Sequence, residues 1–459
     1  MSITTRQHNA IAIIIFCALL VFFRLNSGQL QSIETLLAFK ADLILQFNGF
    51  FDLAPYFSGD GNSQFAMPPM GIWLTVLSMK YLGNLPLHLR IPSVLCSAVS
   101  LVLMYQIARR ILSYQFALIA PVLLASTLVW NSYARQAGAD IPAVMFVLIS
   151  FWCLIKLGEE SKLKSNFKKI SSKYGLILLY SIGLTGSLLS GFLSGLIAAM
   201  MLLPLIPYLK QKALFSCCFG ALTGIFIACL WYHHVYLNPS AMFSGKITLS
   251  QISSLLFASI VAQPFSFIAI ITPFLIIINN RKVSTKQKYT SVEFAVLTWS
   301  SVSLLLSGLF YSEFFSESSA IVISAPSLII IALRGYELAG SSSQYSKLMW
   351  MILTSLFFAV ICSFNQGLIH NIFIASGDLI SSILPIIILA LIIIIIGFVF
   401  PKHRLHQITS RLTFWFIIII PILLILRIAV INISKPNRMN PKKTEATNLS
   451  QKVIVENVG

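Results

Sequence analysis

The stretch IPSVLCSAVSLVLMYQIA (residues 91–108) decides the fold, because it is long, apolar and uncharged. An uncharged run of about 18 residues crosses a bilayer as a helix, since lipid offers no partner for free backbone N–H and C=O groups. Similar runs recur along the 459-residue chain, which is 57% hydrophobic and 10% charged. Such a composition excludes an ordinary soluble domain. The sequence therefore predicts an all-α polytopic membrane protein.

The apolar runs predict about thirteen transmembrane helices within residues 1–431. The predicted spans are roughly 9–24, 91–108, 114–131, 140–156, 175–190, 192–209, 213–231, 264–279, 293–310, 319–334, 347–363, 378–400 and 412–430. The first run is interpreted as a retained span, with a cleaved signal peptide as the alternative, because no small-residue cleavage pattern follows it. Residues 432–459 form a short polar tail, for which composition predicts disorder.

In a membrane protein, the net charge of +18 indicates which loops lie in the cytoplasm and does not indicate nucleic-acid binding. With the N-terminus inside, most Lys and Arg residues fall in cytoplasmic loops, and residues 26–90 form a long first extracytoplasmic loop. The alternation of the predicted spans places the basic residues of the tail outside, whereas the positive-inside rule favours the cytoplasm, so the orientation of the tail stays open. The predicted outer acids are Glu34, Asp42, Asp52, Asp60, Asp140, Glu313, Glu317 and Asp378. Carboxylates on one face are candidates for binding a metal or polar substrate, or for acting as a general base.

The long outer loop contains MGIWLTVLSMKYLG (70–83), whose apolar spacing predicts a helix lying along the membrane interface. Pro68 and Pro69 suit the first turn of that helix, where a missing N–H costs nothing. We therefore expect amphipathic helices in this loop, and not a simple tether.

The stretch ARQAGAD (134–140) places Arg135 and Asp140 between two apolar runs. If Asp140 begins a helix, Pro142 falls in its first turn and the carboxylate lies near the positive end of the helix dipole. One interpretation is an ordinary helix start beside an arginine that extends towards the interface. The other is a functional pair, and spacing alone leaves both open.

Motifs in residues 65–147 resemble those of the GT-C superfamily of membrane glycosyltransferases. The nearest pattern is that of bacterial lipid A aminoarabinose transferases and protein O-mannosyltransferase-like enzymes. The matching motifs are Pro68-Pro69-Met70 with Trp73-Leu74, Arg90-Ile91-Pro92-Ser93, Ala108-Arg109-Arg110, and Arg135 with Asp140. Their order and spacing, more than any single motif, carry the resemblance.

The resemblance implies transfer of a sugar, with inversion, from a polyprenyl-phosphate donor to a lipid, glycan or protein acceptor at the extracytoplasmic face. A bacterial protein of this kind would lie in the cytoplasmic membrane. The implied catalytic residues are Glu34 and Asp140, and the implied substrate-binding residues are Arg135, Arg90, Trp73 and Tyr133. A divalent metal is a candidate cofactor, with His233 as a candidate ligand.

The sequence also departs from the family pattern. Ile33 stands where the family has its first-loop aspartate, so Glu34 would replace the base unless Asp42, Asp52 or Asp60 does. Met67 stands where a lysine often precedes Pro-Pro. A degenerate GT-C scaffold that binds lipid-linked sugar without transfer is therefore one alternative. A transporter or flippase is another, although it predicts charges within the spans, and the spans here have almost none.

Overall fold

A computed structural model of the chain describes residues 3–22, 25, 30, 32–47, 69–161, 167–206, 209, 211–235, 291–309 and 317–340. Every regular element in these ranges is helical. The helices are α1 (Ile3–Phe22), α2 (Ser32–Phe47), α3 (Pro69–Leu82), α4 (Pro86–Ala108), α5 (Tyr114–Ser126), α6 (Leu128–Ala134), α7 (Asp140–Ser161), α8 (Phe167–Ser190), α9 (Phe192–Met200), α10 (Leu202–Leu205), α11 (Gln211–Val235), α12 (Ser291–Leu309) and α13 (Glu317–Gly340).

Three stretches within these helices are long and apolar enough to cross a membrane: Pro86–Ala108, Asp140–Glu159 and Ala213–Trp231. The helix expected at 70–83 is present as α3, and its position along the membrane interface stays a prediction. The predicted spans at 264–279, 347–363, 378–400 and 412–430, and the tail at 432–459, lie outside the described residues. The count of about thirteen spans therefore stays a prediction.

Two predicted spans are each divided in the structure. The span expected at 114–131 consists of α5 and α6, separated at Thr127, whose backbone is extended (φ −68°, ψ 137°). The Thr127 N–H still donates to the carbonyls of Leu123 and Leu124, and its carbonyl accepts from Asn131 N–H. The span expected at 192–209 is likewise α9 followed by α10. Apolar composition predicts burial but does not mark such breaks.

Close backbone approach holds the middle of the bundle together. α7 packs extensively along α8, and α8 packs against α11. Gly220 and Gly224 lie four residues apart on α11; a Cβ added to Gly224 would come within 3.1 Å of the Ser181 carbonyl oxygen on α8. Small residues at this spacing allow membrane helices to pack tightly.

One end of the bundle carries a set of ion pairs. Arg334 on α13 bonds to Glu293 on α12 at 2.8 Å and to Glu337 at 3.0 Å. The Ser113 N–H before α5 donates to Glu337 at 3.0 Å, and Arg110 pairs with Glu159. These residues all belong to segments that the charge pattern assigns to one side of the membrane. The opposite end of the same helices carries Glu34, Arg90 and the start of α7.

Candidate active site

A buried carboxylate lies in the first turn of α2. Glu34 has 1% of its surface exposed, and Arg90, near the start of α4, has 5% exposed. Arg90 Nε donates to Glu34 Oε1 at 2.8 Å, and Arg90 Nη2 donates to Glu34 Oε2 at 2.8 Å. This two-pronged geometry is the strongest arrangement of an arginine and a carboxylate. The structure thus joins two residues that the sequence analysis singled out separately.

The ion pair also holds two other chain segments. Arg90 Nη1 donates to the carbonyl of Leu25, just after α1, at 2.9 Å. The backbone N–H of Ala137, in the turn before α7, donates to Glu34 Oε1 at 3.0 Å. Four separate parts of the chain therefore meet at one buried charge pair.

The turn that carries Arg135 and Asp140 is fixed by the helices on either side of it. α6 is anchored by Trp130, which is fully buried and donates its indole N–H to Ser97 Oγ on α4 at 2.9 Å. Arg135 ends α6, and Asp140 begins α7. The half-buried Asp140 side chain lies at a helix N-terminus, where the dipole favours negative charge.

The first turn of α7 has the form that the sequence predicts. Its first backbone hydrogen bond runs from Ala143 N–H to the Ala139 carbonyl at 2.8 Å. Pro142 lies in this first turn, where its missing N–H leaves no carbonyl unsatisfied. The local signals in the sequence therefore locate this helix start correctly.

The start of α3 presses against the same turn. A Cβ added to Gly71 would lie 3.1 Å from the Ala139 Cβ, so a larger residue would require the two backbones to move slightly apart. Two residues further on, the Trp73 ring meets Trp231 of α11 edge to face, with the centroids 5.1 Å apart. Such aromatic pairs stabilise contacts beyond the area that they bury. α3 thus bridges the turn and the end of α11.

The remaining predicted site residues lie near this end of the bundle or outside the described atoms. Tyr133 is half-buried in the last turn of α6. Lys40 on α2 has 2% of its surface exposed, and burial lowers the pKa of Lys40 below its usual range. His233 lies in the last turn of α11, and its side chain is outside the described part of the structure. Asp52 and Asp60 also lie outside it.

Among the described residues, the potential metal ligands at this end do not form a metal site. Nowhere in those ranges do three or more His, Cys, Asp or Glu side chains come together. Glu34 accepts bonds from Arg90 and Ala137, which leaves Asp140 as the described carboxylate on the turn itself.

An apolar groove leads from the middle of the bundle towards the turn. It has a volume of about 520 Å³ and lies between α7, α8 and α11, with the start of α3 at one end. Its lining includes Met70, Phe146, Tyr174, Thr185, Gly186 and Thr223. Met70 directly precedes Gly71, whose backbone lies close to Ala139, so the groove begins one residue away from the contact with the Asp140 turn.

Sequence reasoning missed three contributors to this arrangement. The Ala137 N–H has no side-chain signature, and the pairing of Glu34 with Arg90 joins residues too far apart for any spacing rule. The groove also escaped notice, although the small residues in GLTGS (183–187) could have indicated a close helix contact there.

The sequence comparisons agree with the resemblance. Residues 66–231 match the family described as dolichyl-phosphate-mannose-protein mannosyltransferase. No curated protein matches the chain significantly.

Several solved structures share the fold at low sequence identity. ArnT from Cupriavidus metallidurans in the apo state has a TM-score of 0.54 and 13% identity, over 88% of this chain and 78% of ArnT. The same enzyme bound to undecaprenyl phosphate gives 0.52 and 12%, over 87% and 77%. The archaeal oligosaccharyltransferase AglB from Archaeoglobus fulgidus, in complex with an inhibitory peptide and a dolichol-phosphate, gives 0.50 and 12%, over 88% of this chain and 56% of AglB.

These matches confirm the expected resemblance at the level of the fold and support an integral membrane protein. The chain thus shares the fold of these membrane enzymes, and residues 66–231 are similar to the dolichyl-phosphate-mannose-protein mannosyltransferase family.

Proposed function

We propose that the chain transfers a sugar from a polyprenyl-phosphate donor to a hydroxyl of a lipid, glycan or protein acceptor at the extracytoplasmic face of the membrane. The observation that carries this proposal is the apolar groove between α7, α8 and α11, which includes Met70 at the start of α3. A polyprenyl chain needs an apolar surface near a polar reaction centre, and the start of α3 also lies against the Asp140 turn through Gly71. The undecaprenyl phosphate and dolichol-phosphate bound by the structural relatives have the same lipid chemistry.

The proposed reaction is a single displacement at the anomeric carbon. The acceptor oxygen attacks that carbon from the face opposite the phosphate, a new C–O bond forms, and the bond from carbon to the phosphate oxygen breaks. Asp140 takes the proton of the acceptor hydroxyl, and the lipid phosphate leaves with the bonding electron pair. The configuration at the sugar carbon is thereby inverted.

Neighbouring side chains have supporting roles in this proposal. Arg135 carries a guanidinium whose planar donors suit the departing phosphate. Tyr133 and Trp73 are half-buried aromatic residues on two sides of the turn, and we assign them to the sugar. A metal bound through His233 stays a prediction.

The test is release of polyprenyl phosphate from polyprenyl-phosphate hexose and pentose donors by the full chain in lipid nanodiscs, with glycolipid, glycan and peptide hydroxyls supplied as acceptors. The Asp140→Asn variant keeps the size of the side chain but loses the base, so we expect its rate to fall by roughly 10²–10⁴-fold. The matched control is Asp42→Asn, an outer-loop acid on α2 that only accepts a bond from Gln46 at 2.7 Å. We expect this control to keep the wild-type rate.

Two outcomes would contradict the proposal. Wild-type protein that binds the donors without releasing polyprenyl phosphate would be a degenerate scaffold. An Asp140→Asn variant with the wild-type rate would show that Asp140 is not the base.

A further inference from the structure

We infer that Glu34 and Arg90 form a positioning pair that holds the Asp140 turn, and that Glu34 is not the proton acceptor of the proposed reaction. The part of this inference that concerns the reaction rests on the function proposed above. The part that concerns the turn rests on the contacts of Glu34 and Arg90 alone.

The first argument is the orientation of the Glu34 oxygens. Both accept hydrogen bonds from Arg90 at 2.8 Å, and Oε1 also accepts from the Ala137 N–H at 3.0 Å. A general base must come within about 2.6–3.2 Å of the group whose proton it takes. A carboxylate with 1% exposure, bonded to a guanidinium on both oxygens, presents no oxygen to an acceptor hydroxyl.

The second argument is what the pair holds. Ala137 lies three residues before Asp140, and its N–H is fixed by Glu34. The backbone of Gly71 lies close to Ala139, which is adjacent to Asp140. The turn is therefore contacted at two points just before the carboxylate, and we expect a displacement at Ala137 to move Asp140. A side chain far from the reacting atoms can affect the reaction rate by positioning the catalytic group. A displacement of that group by about 1 Å lowers the rate strongly.

The third argument concerns Arg90, which the sequence resemblance assigns to substrate. Three of its nitrogens donate hydrogen bonds, to Glu34 Oε1, to Glu34 Oε2 and to the Leu25 carbonyl. Only 5% of the residue is exposed. This geometry makes Arg90 a structural bridge between the end of α1 and α2, and places the phosphate contact elsewhere.

The test compares Glu34→Gln with the double variant Glu34→Gln/Arg90→Gln. The single variant leaves a guanidinium buried beside a neutral amide, so the turn should loosen. In the double variant two neutral amides can bond to each other and to the Ala137 N–H. We expect hydrogen exchange of the amides in residues 135–140 to accelerate at least tenfold in the single variant and to recover in the double variant. Glu159→Gln, in an ion pair at the opposite end of the bundle, is the control and should not alter exchange in this turn.

Activity supplies an independent measurement. If Glu34 positions Asp140, the single variant turns over more slowly, keeps the pH profile of the wild type, and is rescued by the second substitution. If Glu34 is the base, both variants lose activity, and the inference is overturned. Unchanged exchange in Glu34→Gln overturns it as well. If the wild-type protein releases no polyprenyl phosphate, the proposed function fails, while the exchange comparison still decides the role of the pair.

Discussion

At the scale of single residues, the Glu34–Arg90 pair shows how a buried charge is kept in a protein of this composition. Removing both charges from water is expensive, and only good geometry with further hydrogen bonds offsets that cost. Here Glu34 also accepts a hydrogen bond from the Ala137 N–H, and Arg90 also donates one to the Leu25 carbonyl. We therefore expect removal of one partner to destabilise the protein far more than removal of both.

The first prediction follows from this asymmetry. Glu34→Ala should lower the free energy of unfolding by about 3–5 kcal/mol, because Arg90 would stay buried without its carboxylate. Glu34→Leu/Arg90→Met, which fills the same space with apolar atoms, should cost much less. Denaturant unfolding of the protein in detergent micelles measures both.

The matched control is Glu159→Ala, since the side chain of Glu159 is 26% exposed in its ion pairs with Arg110 and Lys156. Exposed pairs contribute about 0–1 kcal/mol. Equal losses for Glu34→Ala and Glu159→Ala would show that burial does not govern the strength of the Glu34 pair.

The sequence identifies these residues but not their relationship. Glu34, Arg90, Arg135 and Asp140 stand out because a charge beside long apolar runs needs a reason. Which charge meets which depends on how the helices pack, and residues 56 positions apart share no periodic pattern. The role of the Ala137 N–H cannot be seen in any side chain.

At the scale of helices, predictions that depend on local chemistry hold best. Pro69 begins α3, and Asp140 begins α7 with Pro142 in its first turn. Proline and dipole preferences act within a few residues, so they can be recognised in the sequence. The division at Thr127 falls at two polar residues, Ser126 and Thr127, and the apolar composition of the run as a whole does not mark it as a break.

The second prediction concerns the contact between α3 and the Asp140 turn. Gly71→Leu should destabilise the protein by about 1–3 kcal/mol through overpacking against Ala139. It should also slow the proposed reaction, because the turn would be displaced. Thermal unfolding and release of polyprenyl phosphate measure the two effects.

Gly175→Leu on α8 provides the comparison, since no atom lies within 4 Å of a Cβ added there. This variant should be neutral or slightly stabilising, because leucine favours helix formation more than glycine by about 0.5–1 kcal/mol. Similar losses in both variants would mean that the close approach at Gly71 has no special importance.

At the scale of the whole molecule, the charged side chains gather at the two ends of the helices. Arg110, Glu159, Glu293 and Arg334 form ion pairs at one end, and Glu34 pairs with Arg90 at the other. The charge pattern of the sequence separates the same two groups by side of the membrane. Topology is predictable in this way because charges avoid the apolar middle. The lateral arrangement of the helices, and hence the groove, is not encoded in that pattern.

The third prediction tests the groove between α8 and α11. Thr223→Trp should narrow it and raise the KM for a long polyprenyl-phosphate sugar by roughly tenfold, as expected from overpacking of about 1–3 kcal/mol. A donor with only two isoprene units should be affected much less. Steady-state kinetics with both donors measure the difference.

Leu222→Trp is the control for this experiment, because Leu222 is the neighbouring residue and is 66% exposed. Its substitution should leave both donors unaffected. Equal changes in KM for the long and the short donor in Thr223→Trp would show that the lipid chain does not use this groove.

The four-segment junction at Arg90 also has a consequence for biosynthesis. The ribosome delivers Leu25, Glu34 and Arg90 before Ala137, and at translation rates of about 5–20 residues per second the last partner follows some 2–10 seconds later. During that interval the nascent chain can already join the end of α1 to α2 and α4, but one carboxylate oxygen still lacks its amide donor. The turn that carries Asp140 is consequently the last part of this junction to be completed, and it requires α7 to enter the membrane beside helices that are already in place.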